Sequence, residues 1–410
     1  MIVGKADCGL QYAIFRSGRA VGYCSLSIKC GTRDENGYPS GIAHFTEHTI
    51  FRGTTHKSAS AINSYLEKGG GDINAYTTKE EIVLHATVLK EDITKAISML
   101  IDLAACPTFP EDEIETEKGV VLDEIYSYKD SPADEVYDKF EELLFAGHPL
   151  ERPILGTSKS VGKITSKDLK LFVSERFTPS KMALAIVADI DEKKLEQSAL
   201  KIIDKFFGKE LIINELPTIK YFLPKAEKFE KTLDKRNHEA NAVIGSIAPS
   251  LYDGRKRIST ILLSNILGGP ASNSLLNSIL REKKGWVYNV ESSYTQYSDT
   301  GIFAISLGCE RSNIEKCCKA IEKILLKLTE NTLSETKLKA AKKQLIGQLS
   351  ISADNGETTC LSMGKSLLAY EKIISDRIEK DLINSITAAE LQTLSQDIFN
   401  PEHLSRLIYL

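Results

Sequence analysis

A strand, a short turn and an amphipathic helix, Ile82–Leu89 followed by Asp92–Leu103, recur 221 residues later as Ile302–Cys309 and Asn313–Leu325. The offset lays Ile93 on Ile314, Ala96 on Cys317 and Leu100 on Ile321, so the apolar stripe keeps its phase between the two helices. The next helix of the first half, Asp112–Tyr128, has a counterpart in Glu335–Ser352. Solenoid repeats run roughly 20–50 residues, so this much longer period points to duplication of a whole α+β domain.

Residues 207–225 lose periodicity and carry Pro217 and Pro224, which predicts a linker between domains at 1–206 and 226–410. Either half is long enough to bury its own core without a metal or disulfide staple. In the first half, strands are expected at Tyr12–Phe15, Val21–Ile28, Ile73–Thr77, Ile82–Leu89 and the wholly apolar Met182–Ala188. Helices are expected from Ile42 to about Phe51, at Ala59–Lys68, from about Ile93 to Ala104, at Asp112–Tyr128, Asp134–Phe145 and Ser166–Arg176, and up to Phe206.

Composition removes several function classes. Lys and Arg total 52 against 56 Asp and Glu, a net charge of −4, which speaks against a nucleic-acid specialist. No apolar run approaches the ~18 residues of a membrane span. The N-terminal MIVGKADCGL lacks the basic, apolar and small-residue regions of a leader, so a cytoplasmic protein is expected. Eight cysteines form no CxxC pair and read as reduced thiols.

Only seven histidines occur, and two of them, His44 and His48, lie four residues apart on the first expected helix. Residues at i and i+4 share a helix face, so both imidazoles can address one metal ion. Glu47 lies beside that face, where a carboxylate can take a proton from a metal-bound water. Zinc suits two imidazoles and a carboxylate with one position left for water, and H-x-x-E-H is the inverted zincin signature. The third ligand is sought on the helix containing Glu117 and Glu124, which are seven residues apart and share one face. One can ligate the metal while the other hydrogen-bonds a ligand histidine.

The run Gly41-Ile-Ala-His44-Phe-Thr-Glu47-His48-Thr-Ile-Phe-Arg-Gly53-Thr54 resembles the zinc motif of the M16 (pitrilysin, or mitochondrial-processing-peptidase-like) metallopeptidases. Gly70-Gly-Asp-Ile-Asn74-Ala75-Tyr76-Thr77 is similar to the segment that follows it in that family. The 75 residues between His48 and Glu124 match the family spacing to its third ligand, and Leu280-Arg281-Glu282-Lys-Lys-Gly285-Trp-Val-Tyr288 resembles its Arg/Tyr motif. Thr49 and Trp286 are mild departures that remove no catalytic group.

The resemblance implies a zinc endopeptidase or oligopeptidase. Its fold would be two duplicated α/β sandwich domains, each a mixed, largely antiparallel sheet packed with helices, forming one half of a clamshell chamber. It implies one zinc per chain on His44, His48 and Glu124, with Glu47 as general base and Glu117 positioning a ligand. Arg281 and Tyr288 would hold the substrate carbonyl and oxyanion from a second subunit. The partner would be a second copy, or an inactive homologue. Asn74, Ala75 and Tyr76 would pair with an extended peptide as an added strand.

Other features carry less. Gly268-Gly-Pro-Ala-Ser272 lacks the lysine and spacing of a phosphate loop. His85 and His148 have no ligand partners and are assigned structural roles, and Thr336–Ser352 contains no acidic residue, which confines metal chemistry to the first half. The competing reading is a non-catalytic, peptide-holding subunit of the same fold, whose mark would be loss of the motif or its third ligand. A phosphoester hydrolase would call for more carboxylates or a two-metal cluster.

Overall fold

A computed structural model describes residues 1–211 and 227–410, so the expected linker lies outside the described residues from position 212 onward. The chain packs into two compact units that are not contiguous in sequence. The first holds Met1–Ile125, residues 152–211 and Ser350–Ile374; the second holds Tyr126–Glu151, residues 227–349 and Ser375–Leu410.

The first unit is built on a six-stranded sheet of β1 (Ile2–Lys5), β2 (Gln11–Arg16), β3 (Val21–Ile28), β4 (Asp72–Thr77), β5 (Ile82–Leu89) and β6 (Met182–Ala188), in the order β1-β2-β6-β3-β5-β4. All neighbours are antiparallel except β2 and β6. Helix α1 (Ile42–Thr49) follows β3, and α2 (Ala59–Glu67) precedes β4. Helix α3 (Ile93–Ala105) sets Ile93, Ile97, Leu100 and Leu103 at helical spacing into the main core, with the helix Glu192–Phe207 alongside. The other sheet face is lined by small residues (Ala13, Ser25, Ser27, Ala183, Ala185) and is covered by the helix Gly356–Tyr370. With both faces covered, β6 is buried along its whole length, which is why its sequence is an unbroken apolar run.

In the second unit the strands are β7 (Glu230–Leu233), β8 (Glu239–Ala248), β9 (Val287–Gln296), β10 (Gly301–Glu310) and β11 (Ser405–Tyr409), ordered β7-β11-β8-β10-β9. The plan repeats that of the first unit. One central pair is antiparallel (β11 with β8, as β6 with β3), and the outward neighbour is parallel (β7 with β11, as β2 with β6). The sheet and packing establish the mixed α+β fold of two sheets covered by helices.

The boundaries 1–206 and 226–410 need correcting at two helices. Helix α4 (Glu111–Lys129) ends near a unit border, and α5 (Pro132–Leu144) then packs on β8 and β11 of the second unit through Val136, Phe140 and Leu144. Reciprocally, the helix Gly356–Tyr370 packs on β2, β3 and β6 of the first unit through Cys360, Met363 and Leu367. Gly364 permits the approach, since a Cβ there would lie 2.8 Å from Ser27 Oγ. Amphipathic helices follow the sheet that buries them, and chain order does not decide which sheet that is. Among the described residues, no helix is long and apolar enough to cross a membrane.

Phe140→Ala should cost about 3–5 kcal/mol and Leu367→Ala about 2–5 kcal/mol by denaturant unfolding. Amide exchange should rise in β8 and β11 for the first variant and in β2, β3 and β6 for the second. The opposite assignment would overturn the exchange of helices.

Candidate metal centre

Helix α1 ends as a regular helix at Thr49 and tightens into a 3₁₀ turn over Ile50–Arg52 before Gly53. His44 and His48 project from one side of it, with ring centroids 4.5 Å apart. Helix α4 lies against them. Its buried stripe is Ile114, Glu117, Val121 and Ile125, so one carboxylate stands in an apolar row that faces the core.

Glu124 Oε2 lies 3.6 Å from His44 Nε2 and 3.5 Å from His48 Nε2. Zinc bonds of 2.0–2.2 Å in tetrahedral geometry separate ligand atoms by roughly 3.3–3.6 Å. These three atoms therefore have the spacing of a zinc donor set before any ion is placed. Glu124 Oε2 is also buried without a hydrogen-bond partner. A carboxylate oxygen left bare between two imidazole nitrogens fits a cation ligand. His44, His48 and Glu124 are the residues that would hold the metal.

The remaining contacts orient this set. His48 Nδ1 is 2.9 Å from Glu117 Oε1. A carboxylate only accepts, so Nδ1 carries a hydrogen, which leaves Nε2 as the nitrogen that would meet a metal. The other oxygen of Glu117 accepts from Arg52 Nε at 2.5 Å. Burial would raise the Glu117 acid, but His48 and Arg52 outweigh it and hold the carboxyl below its usual range. Burial, aided by the neighbouring His48, lowers His44 to about 4, so that ring is neutral and ready to bind. Burial works on His48 in the same direction, but Glu117 and Glu124 outweigh it and push His48 up to about 9 in the metal-free protein.

Glu47 stands beside the donors, its Oε2 4.0 Å from His44 Nε2, and accepts from Thr77 Oγ1 at 3.2 Å. Burial raises its acid, with His48 and Thr77 opposing. A cavity of about 210 Å³ opens along Glu47, His48, Phe51, Arg52, Asn63 and Glu117. The structure thus brings His44, Glu47, His48, Glu117 and Glu124 together. Asn74, Ala75 and Tyr76 lie on β4, the edge of the sheet, which pairs with β5 along one side. Arg281 and Tyr288 belong to the second unit, on the helical turn Asn277–Lys283 and on β9. Both are exposed and make no side-chain hydrogen bond or ion pair among the described residues. His85 pairs with Glu357 at 3.1 Å, in keeping with a structural role.

Two residues of the centre escaped the sequence reading. Arg52 follows His48 by four positions, a spacing that carries it along the same side of the helix. Thr77 ends the strand already singled out at Ile73–Thr77. Neither type is diagnostic without a partner in view.

Two imidazoles and a helix-borne glutamate converging on a repeated α+β fold, with a second carboxylate beside them, are the constellation of the zinc metallopeptidases. A family profile described as insulinase, peptidase family M16, matches residues 15–158, and the peptidase M16 inactive domain matches residues 163–345. The chain belongs to the M16 peptidase family. It is 30% identical over 385 residues to an uncharacterized zinc protease of Rickettsia felis, covering 94% of this chain and 91% of that protein. It is 29% identical over 384 residues to the uncharacterized zinc protease YmxG of Bacillus subtilis, covering 93% and 91%. The crystal structure of a protease from Helicobacter pylori shares the fold at TM-score 0.91 and 21% identity, covering 100% of this chain and 98% of that one.

Glu117→Gln keeps an acceptor but loses the charge that pairs with Arg52. Zinc affinity, measured by chelator competition, should fall about 10–100-fold, and Arg52→Met should lower it in the same direction. Unchanged affinity in both variants would remove Glu117 as the group that orients His48.

Proposed function

We propose that this chain is an active zinc-dependent endopeptidase or oligopeptidase acting on peptides or unfolded segments, with one zinc per chain on His44, His48 and Glu124. The convergence of those three donor atoms beside Glu47 carries the reading. When bound, zinc supplies a Lewis acid that polarises a carbonyl and makes water acidic near neutral pH.

Glu47 is the base in this reading. Its burial raises its basicity above that of an exposed glutamate, and Thr77 fixes the direction of its carboxylate. Glu117 holds His48 in the tautomer that presents Nε2. The free edge of β4 offers backbone groups at Asn74, Ala75 and Tyr76 to an extended peptide, the usual geometry for adding a strand.

The oxyanion of peptide hydrolysis needs a cation or donor aimed at it. Arg52, four residues after His48, is committed to Glu117. We assign the task to Arg281 and Tyr288, both unengaged, supplied by a partner subunit, so the working form is a homodimer or a heterodimer with an inactive homologue. A non-catalytic subunit would be expected to have lost a ligand or the base, and this chain keeps them all. The eight cysteines are free thiols, which suits a reducing compartment, and we place the protein in the cytoplasm.

Glu47→Gln should bind zinc as the wild type does while peptide cleavage, followed by mass spectrometry of a peptide mixture, drops by about 10²–10⁴-fold. Near wild-type turnover in that variant, or cleavage indifferent to chelators, would sink the enzymatic reading. Tyr288→Phe mixed with Glu47→Gln should regain part of the lost activity. No regain in a confirmed dimer would count against groups shared between subunits.

A further inference from the structure

The helix that carries both histidines is only eight residues long. Isolated helices shorter than ~12–15 residues are marginal in water, so α1 depends on what holds its ends. Its N-cap is Gly41, which has no side chain to offer the first turn and sits at φ 91°. The missing acceptor comes from elsewhere. Glu35, on the loop after β3, is completely buried. Its Oε1 accepts from Ala43 N at 3.0 Å and Gly41 N at 3.1 Å, and its Oε2 accepts from Gly41 N at 3.0 Å. Ala43 immediately precedes His44.

We propose that Glu35 is a positioning residue of the metal centre: its buried carboxylate clamps the first turn of α1 and thereby sets where His44 and His48 point. Nothing in the family match or in the named relatives assigns it this part, and the inference rests on the zinc reading above. A carboxylate against free helix N–H groups is held by their hydrogen bonds and by the positive end of the helix dipole together. The same turn is gripped from a second side. A Cβ on Gly156 would lie 2.4 Å from Ser40 O, and one on Gly41 would lie 2.7 Å from Leu155 O, so the two backbones cross at van der Waals limits.

Charged side chains, Lys79 buried and the others half-buried, lie near the clamp. Lys79, 5% exposed, donates from Nζ to Arg152 O at 2.6 Å, and Arg33 pairs with Glu80 at 2.6 Å nearby. Burial pushes the Glu35 acid up to about 8, opposed by the Ala43 and Gly41 amides and by Arg152 and Lys79. The loop is itself tied down, with Tyr38 N donating to Glu35 O at 2.9 Å and Tyr38 Oη to Glu175 at 2.7 Å. A residue needed only to end a loop would not require a desolvated carboxylate with both oxygens engaged on one helix end.

The test is Glu35→Gln in the full chain, with zinc affinity read by chelator competition and folding read by circular dichroism and Tm. Glutamine keeps one acceptor but replaces the other with an amide NH₂ that turns a donor toward the Gly41 and Ala43 N–H groups. Zinc affinity should fall about 10–100-fold, as for other groups that orient ligands. Leu367→Ala, which loosens the far face of the same unit, should lower Tm yet bind zinc within twofold of wild type. Equal zinc affinity in Glu35→Gln, or an equal loss in Leu367→Ala at matched Tm, would overturn the proposal. Hydrogen exchange on the wild type decides the matter even if Glu35→Gln fails to fold. The amides of residues 41–45 should be protected without zinc and change little on adding it. Free exchange that zinc alone suppresses would show that the carboxylate does not hold the turn. A wild-type chain that binds no zinc would overturn the metal reading itself, and the exchange experiment would still judge the clamp.

Discussion

The centre depends on one carboxylate, that of Glu117, which joins two helices and is itself almost wholly buried. One oxygen takes the Nδ1 hydrogen of His48 and the other takes Arg52. A buried carboxylate is tolerable only with such partners, and removing one leaves a charge in the core. The constraint acts in both directions. It fixes the tautomer of His48, and it fixes how α4 lies along α1. Seven residues further on, about 10.5 Å along the helix, Glu124 then arrives between the two Nε2 atoms. The candidate metal ligand and the residue that orients its neighbour are thus set by a single helix register.

The second unit shows that this chemistry is not a property of the fold. Its strands repeat the order and direction of the first, including the one parallel pair. Where the first unit has α1, the second has the helix Gly254–Gly268, which contains no histidine. Where the first has α4, the second has Glu335–Ser352, whose charged side chains after Glu335 are all lysines. Architecture was copied, while among the described residues the His44–His48–Glu124 cluster has no counterpart in the second unit.

Much of this was legible in the sequence, and the limits of that reading are physical. Periodicity marked α3, β5 and β6 to within a residue or two, because each presents a continuous apolar face to a core. His44, Glu47, His48, Glu117 and Glu124 were legible because metal chemistry restricts residue types and spacings. Arg52 and Glu35 were not, since an arginine or glutamate in a polar stretch looks solvated until its buried partner is seen. The four-residue strand β1 was too short to show alternation. The exchanged helices were invisible for another reason: an amphipathic stripe says that a helix is buried, and leaves open which sheet buries it.

That exchange bears on how the molecule is made. Cys360 hydrogen-bonds with Ser25 and Ala185, and the first of these partners stands 335 positions earlier in the chain. During synthesis, the sheet that appears first has one face bare until residues 356–370 have left the ribosome. Its small alanines and serines suit that interval, offering less greasy surface to neighbouring nascent chains than leucine or phenylalanine would. The last quarter of the polypeptide therefore finishes the first domain, and a messenger truncated before it yields a first unit with one face of its sheet uncovered.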